Sequence, residues 1–210
     1  MSIRVGIIQY GLGNTASVAN AFNALGADAV VVSDSKTLAN FSHIVLPGVG
    51  AFGDGMKNLS EMGWIEALHT EILLKKKYFL GICLGMQLLA SRGTEHGNSE
   101  GMGWIEGDVL KLNPDNRELP VPHIGWNDVL VVRTDGNFKQ NNPSSSDFYF
   151  VHSYALSPKD QTVVDSWCNY GTPFAASLSH ENIRAVQFHP EKSQKAGLGV
   201  LKNFLEQATA

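Results

Sequence analysis

Apolar positions follow two rhythms along this chain. Ile3 to Ile8 is an almost continuous apolar run, the pattern of a strand covered on both faces. Thr15 to Leu25 then spaces Val18, Ala21, Phe22 and Leu25 as one side of a helix, and Gly26 stops it. Ala29–Val32 and His43–Leu46 read as two more short strands. Trp64–Lys76 reads as a helix with Ile65, Leu68 and Ile72 on one side, and Tyr78–Ile82 as a fourth strand. This alternation predicts a doubly wound, mostly parallel α/β sheet flanked by helices, with functional groups at the carboxyl ends of its strands. The second half changes character. Gly103–Leu112, His123–Val132, Phe148–Tyr154, Thr162–Trp167 and Phe174–Leu178 look like strands joined by turns, which predicts an antiparallel extension of the sheet. A helix over Leu198–Gln207 closes the chain, and the polar stretch Asn137–Asp147 predicts an exposed loop.

The fourth strand stops at Cys83, and a helical pattern, Leu84 to Ser91, begins at once. Gly81 and Gly85 flank the cysteine at minus two and plus two. This is the thiol counterpart of the Gly-x-Ser-x-Gly elbow, in which a strained strand-to-helix turn lifts a nucleophile out of the sheet. A Cβ at either flank would collide with backbone packed against the turn. A following helix would also favour the thiolate through its unpaired N–H groups and dipole. Taken alone, a free cysteine is most often a small buried core residue. The elbow gains meaning only with a base, and one is found in Gln187-Phe-His-Pro-Glu-Lys-Ser193. Arg184–Phe188 reads as a short strand that leaves His189 near its end. If His189, Pro190 and Glu191 stay extended, positions i and i+2 point the same way. Glu191 then accepts from one ring nitrogen, and the other is free to take the thiol proton.

Composition narrows the setting. With 210 residues, one domain spanning 1–210 can bury its own core. A net charge of −4 gives no electrostatic reason to expect nucleic acid or an anionic membrane. No apolar run approaches the ~18 residues of a membrane span, and the N-terminus reads as a first strand, not a signal peptide. The two cysteines, Cys83 and Cys168, make neither a disulfide scaffold nor a zinc site. No metal or other cofactor is expected, and a reducing cytoplasm is.

Two glycine-rich segments need weighing. Leu46-Pro47-Gly48-Val49-Gly50 follows a strand and is either an ordinary Pro-Gly turn or a source of backbone N–H groups for an oxyanion. A second donor would then be Leu84, the residue after the nucleophile. Gly11, Gly13 and Ala16, with Asp34 downstream, match a dinucleotide-binding fingerprint. That alternative gives Cys83, His189 and Glu191 nothing to do.

These motifs together resemble the class I glutamine amidotransferases. Within that family they are most similar to the glutaminase subunits of imidazole glycerol phosphate synthase, through Tyr10-Gly-Leu-Gly-Asn14, Leu46-Pro-Gly-Val-Gly-Ala-Phe-Gly-Asp-Gly-Met56, Gly81-Ile-Cys-Leu-Gly-Met-Gln87, Pro122-His-Ile-Gly-Trp-Asn127, Phe148-Tyr-Phe-Val-His-Ser-Tyr154 and Gln187 to Ser193. The resemblance implies that Cys83 attacks the side-chain amide of glutamine, that His189 held by Glu191 moves the proton, and that Gly50 and Leu84 supply oxyanion donors. It implies glutamine binding by Gln87, Glu95, Ser153 and Tyr154. It also implies a heterodimer with a (β/α)8-barrel synthase of histidine biosynthesis, touched through Asn14, Trp126, Asn127 and Lys192. Gln9, Ala155 and Ser91–Thr94 depart from the usual pattern. They keep open a paralogue that supplies ammonia for amidination of surface sugars. A cysteine peptidase-like protein on the same sheet is a third reading.

Overall fold

A computed structural model describes residues 3–115, 119–138 and 145–209. The first half alternates strand and helix as expected, and adds a helix over Phe52–Glu61 that the spacing did not indicate. β1 (Arg4–Ile8), α1 (Thr15–Ala24), β2 (Asp28–Val32) and β3 (His43–Gly48) lead to α2 (Phe52–Glu61) and α3 (Trp64–Leu68). α3 runs on through a π-helical stretch at His69–Leu74 into β4 (Tyr78–Cys83), and α4 (Leu84–Gln87) follows at once. Four strands come next, β5 (Ala90–Gly93), β6 (Ser99–Glu100), β7 (Ile105–Lys111) and β8 (His123–Val131). The chain continues through β9 (Ser145–His152), β10 (Tyr154–Pro158), β11 (Val164–Tyr170), β12 (Thr172–His180) and β13 (Ile183–Val186), and ends on α5 (Gln194–Leu205).

Among the described residues these strands form two sheets. The larger has the order β2-β1-β3-β4-β13-β12-β11-β8-β9. Its pairs are parallel from β2 to β13 and antiparallel from β13 to β9. The expected α/β architecture with an antiparallel extension is therefore present. One of the strands assigned to that extension, Gly103–Leu112, lies elsewhere: as β7 it pairs with β5 and with β10, a strand that was not expected, in a separate sheet, β10-β7-β5-β6. Periodicity shows that a segment is a strand but not which edge it joins.

The core explains why the early strands are apolar throughout. Ile8, Ile44, Leu46 and Phe79 point to the face covered by Phe52, Leu59, Trp64 and Leu68 of α2 and α3. Val5, Ile7, Val45, Leu80 and Ile82 point to the other, against Val18 and Phe22 of α1 and Val200, Leu201 and Phe204 of α5. Burial of these side chains on both faces leaves only strand ends open to solvent. Asn137 and Phe138 also differ from expectation. They are buried, not part of an exposed loop, and Asn137 is held by the buried Asp165 carboxylate. Residues 139–144 of that stretch lie outside the described residues.

Candidate functional site

β4 runs between β3 and β13, and Cys83 is its last residue, opposite Gly48 of β3. Cys83 has φ +53° and ψ −107°, a conformation that costs a residue with a Cβ about 1–3 kcal/mol. The surroundings enforce it. A Cβ on Gly85 would run into the Leu46 carbonyl oxygen, and one on Gly81 would sit 2.7 Å from the Gly85 oxygen. The turn closes only because both flanks are glycine. The helix that follows is a single turn, Leu84–Gln87, and not the expected helix to Ser91. Leu88, Leu89 and Ala90 are all fully buried, and Ala90 enters β5 beside β7. One turn carries little dipole, so the helix contributes less to the sulfur than its length in sequence suggests.

β13 ends at Val186, and Gln187 to His189 carry the chain past the end of β4. His189 is held at both backbone ends. Its N–H donates to the Tyr149 carbonyl (2.9 Å), and its carbonyl accepts from Ser193 Oγ (2.6 Å). Pro190–Lys192 forms a 3-10 turn and not the extended segment expected. The turn still brings Glu191 Oε1 to 2.9 Å from His189 Nδ1, with 4% and 1% of the two side chains exposed. A carboxylate can only accept here, so Nδ1 carries a proton. Burial lowers the proton affinity of the ring, but the neighbouring Cys83 sulfur and then Glu191 outweigh it, raising the pKa to about 9. Nε2 is buried and makes no hydrogen bond of ordinary length within the protein, so the sulfur acts on it at longer range. Around the sulfur itself, Gln187 Nε2 lies at 3.6 Å and the Val151 carbonyl at 3.9 Å.

A pocket of about 460 Å³ opens over Cys83, and Gly50, Leu84, Gln87, Glu95, Ser153 and Tyr154 line it together. These seven residues come from four separate stretches of the sequence. Gln87 Nε2 donates to the Tyr154 carbonyl (2.8 Å) and to Gln187 Oε1 (3.1 Å). Glu95 Oε2 accepts the Phe52 N–H at 3.0 Å, which fixes the carboxylate at the pocket wall. His189 and Glu191 are buried beside the sulfur and do not line the pocket. A larger cavity of about 630 Å³ between β7, β10 and β12 contains no cysteine or histidine. Size alone does not locate the chemistry.

A family model described as glutamine amidotransferase class-I matches residues 6–208. The chain belongs to the class I glutamine amidotransferases. It is 47% identical over 95% of its length to a Campylobacter jejuni protein named imidazole glycerol phosphate synthase subunit HisH 1, covering 98% of that protein. It is 43% identical over 97% of its length to the Geobacter sulfurreducens protein named imidazole glycerol phosphate synthase subunit HisH, again covering 98% of the relative. In fold it is similar to a solved structure titled PurLQS from Thermotoga maritima, with a TM-score of 0.77, 19% identity and full coverage of both chains.

For this amidotransferase, Asp34 and Gly13 of the dinucleotide fingerprint have structural roles of their own. Asp34 caps a 3-10 turn by accepting from Lys36 N–H, and Asn14 Oδ1 caps α1 by accepting from Ser17 N–H. At Gly13, φ is +142° and a Cβ would lie 3.2 Å from the Pro47 oxygen, so the glycine loop serves close packing against the Pro47–Gly50 segment. The residues named for a partner face divide. Trp126 is 49% exposed and its ring is 6.1 Å from that of Tyr149, over which Lys192 Nζ sits at 5.6 Å. Asn127 faces the other side of β8 and bonds the Asn169 carbonyl. Sequence reading missed Gln187 and His152. Both stand in the motifs already quoted, but nothing in a linear pattern tells that buried Gln187 reaches the sulfur or that His152 lines the pocket.

Proposed function

We propose that this amidotransferase, acting as one domain over 1–210, hydrolyses glutamine through Cys83, His189 and Glu191 and delivers ammonia to a (β/α)8-barrel synthase in histidine biosynthesis. The observation that carries the reading is the buried His189–Glu191 pair beside a sulfur that opens into the pocket of Gln87, Glu95, Ser153 and Tyr154. Cys83 Sγ attacks the amide carbon, and the N–H groups of Leu84 and Gly50 meet the charge that builds on oxygen. The C–N bond breaks as His189 gives its proton to the departing nitrogen. Water, deprotonated by the same ring, then hydrolyses the thioester to glutamate and frees the sulfur. Glu191 keeps the imidazole oriented throughout. Glu95 takes the α-ammonium of the substrate with the carboxylate oxygen that Phe52 leaves open, and backbone at Ser153 and Tyr154 meets its carboxylate.

Direct transfer suits the product, since ammonia released into neutral water is mostly protonated and no longer nucleophilic. An apolar stripe supports a docked partner. Ile124, Trp126 and Leu130 on the outward face of β8, interrupted by Asp128, and Val132 just past its end are 60%, 49%, 59% and 53% exposed, more than a lone surface apolar residue would explain. Asn14 and Lys192 would flank it, with Asn127 held beneath. The names of the relatives support the pathway, and a reducing cytoplasm suits a reactive thiol. No helix among the described residues is long and apolar enough to cross a membrane. The test is copurification from native lysate followed by glutamine-dependent and ammonia-dependent synthesis assays. Cys83→Ala should abolish the first and leave the second intact. Loss of neither, or a bound partner that is not a barrel synthase, contradicts the reading.

A further inference from the structure

Two imidazoles line the pocket without a part in the chemistry above, His96 and His152, and His152 belongs to a hydrogen-bonded chain whose protons can all be placed. The chain begins at Asn127. Its Oδ1 accepts from the Asp128 N–H (2.9 Å) and its Nδ2 donates to the Asn169 carbonyl (3.2 Å). A backbone donor and a backbone acceptor thus fix which way the amide faces. Nδ2 also lies 3.3 Å from His123 Nε2, which must accept. His123 therefore carries its hydrogen on Nδ1 and gives it to His152 Nε2 at 3.1 Å. By the same logic His152 is protonated on Nδ1, which donates to the Tyr154 carbonyl at 2.9 Å. That carbonyl is shared with Gln87 Nε2, and Gln87 leads through Gln187 to the Cys83 sulfur.

The chain is built to hold one state. Both rings are buried, and burial lowers their pKa values to about 4 for His123 and about 3 for His152, the latter lowered further by the neighbouring His123 and His189 rings against the Tyr154 carbonyl. Neither ring is charged at neutral pH. His123 stacks on Tyr170 at 4.0 Å and on Phe150 at 4.9 Å, which prevents it from turning. His152 is the last residue of β9 and Tyr154 the first of β10, so the bond between them closes the point where the chain leaves one sheet for the other. That crossing is a wall of the pocket.

We propose that His123 and His152 are positioning residues for the glutamine site, a relay protonated on Nδ1 in both rings that fixes the Tyr154 carbonyl and, through it, Gln87. The proposal rests on the glutaminase reading for its substrate but not for its proton arrangement. Free neutral imidazole prefers a proton on Nε2, so Nδ1 protonation at both rings would report the network and not a generic buried histidine. The first measurement is 15N–1H correlation of ring nitrogens in the full chain labelled at histidine, between about pH 6 and 8. Both rings should be neutral with the hydrogen on Nδ1; an Nε2–H or a charged ring at either residue overturns the relay. The second is glutamine kinetics. His123→Phe keeps the stacking but breaks the chain, and should raise KM about ten-fold while changing kcat less than about two-fold. His123→Asn, whose Nδ2 can replace the lost donor, should recover most of that loss. An unchanged KM in folded His123→Phe overturns the proposal. A wild-type chain that does not hydrolyse glutamine sinks the glutaminase reading instead, and the ring tautomers still decide the relay.

Discussion

At the scale of single residues, the site turns on where one proton rests. With its pKa raised to about 9, His189 is protonated at neutral pH, as the proposed mechanism needs for a departing ammonia. A raised value means that the protonated form dominates below about 9 and is lost above it. Turnover of glutamine should therefore decline as pH rises through that region, measured as kcat/KM against pH. Glu191→Gln keeps an acceptor near Nδ1 but removes the charge, so the descending limb should move to lower pH; a limb that stays in place would take Glu191 out of the account. These residues were readable in the sequence because each sits in a short motif with a mechanical reason. Gly81 and Gly85 announced the turn, and Pro190 announced a constrained base. What the sequence did not disclose is that Pro190–Lys192 forms a 3-10 turn, because two local geometries can bring the same i and i+2 side chains together. His123 and His152 were also unreadable, since their pairing depends on a cross-strand register between β8 and β9.

At the scale of elements, hydrophobic spacing located β1, β3 and β4, where burial on both faces leaves a strong signal, and also β2, α1 and α3, but it missed α2, of which only Phe52, Gly55 and Leu59 are buried. It also failed where burial is uniform. Leu88 to Ala90 are buried on every side, so nothing in their pattern separates the end of a helix from the start of β5. It failed again at Asn137, a polar residue read as loop surface that is in fact part of a buried network. Asp165, fully buried, accepts from the Asn137 N–H at 2.9 Å, Asn137 Nδ2 at 2.7 Å and Ser179 Oγ at 2.5 Å, and Asn203 on α5 donates to the Asn137 carbonyl at 3.1 Å. This ties β11, β12 and α5 together at a place remote in sequence from the elbow. Asp165→Ala leaves the Asn137 N–H and Ser179 Oγ buried without that acceptor, although Asn137 Nδ2 keeps the Leu178 and Ala185 carbonyls, and should destabilise the protein by ~3 kcal/mol. Urea denaturation should show the drop, and KM for glutamine should not move. A large change in KM with unaltered stability would mean that the network belongs to the site.

At the scale of the whole molecule, the arrangement separates two tasks. The crossing between the two sheets forms one wall of the pocket over Cys83, the proposed glutamine site, and the outward face of β8 offers an apolar surface near Trp126, Tyr149 and Lys192. Leu130→Asp places a charge in that stripe, away from the pocket. Size-exclusion chromatography should show loss of the partner complex, with glutamine binding by the isolated chain unchanged; persistence of the complex would move the docking face elsewhere. Beneath both tasks lies the chemistry of one sulfur. Acid quenching of the enzyme during turnover, followed by intact and peptide mass analysis, tests it most directly. The expected result is one glutamyl group on the peptide containing Cys83, absent from Cys83→Ala. Glutamine turnover that persists in Cys83→Ala, or a glutamyl group on any other residue, would contradict the account.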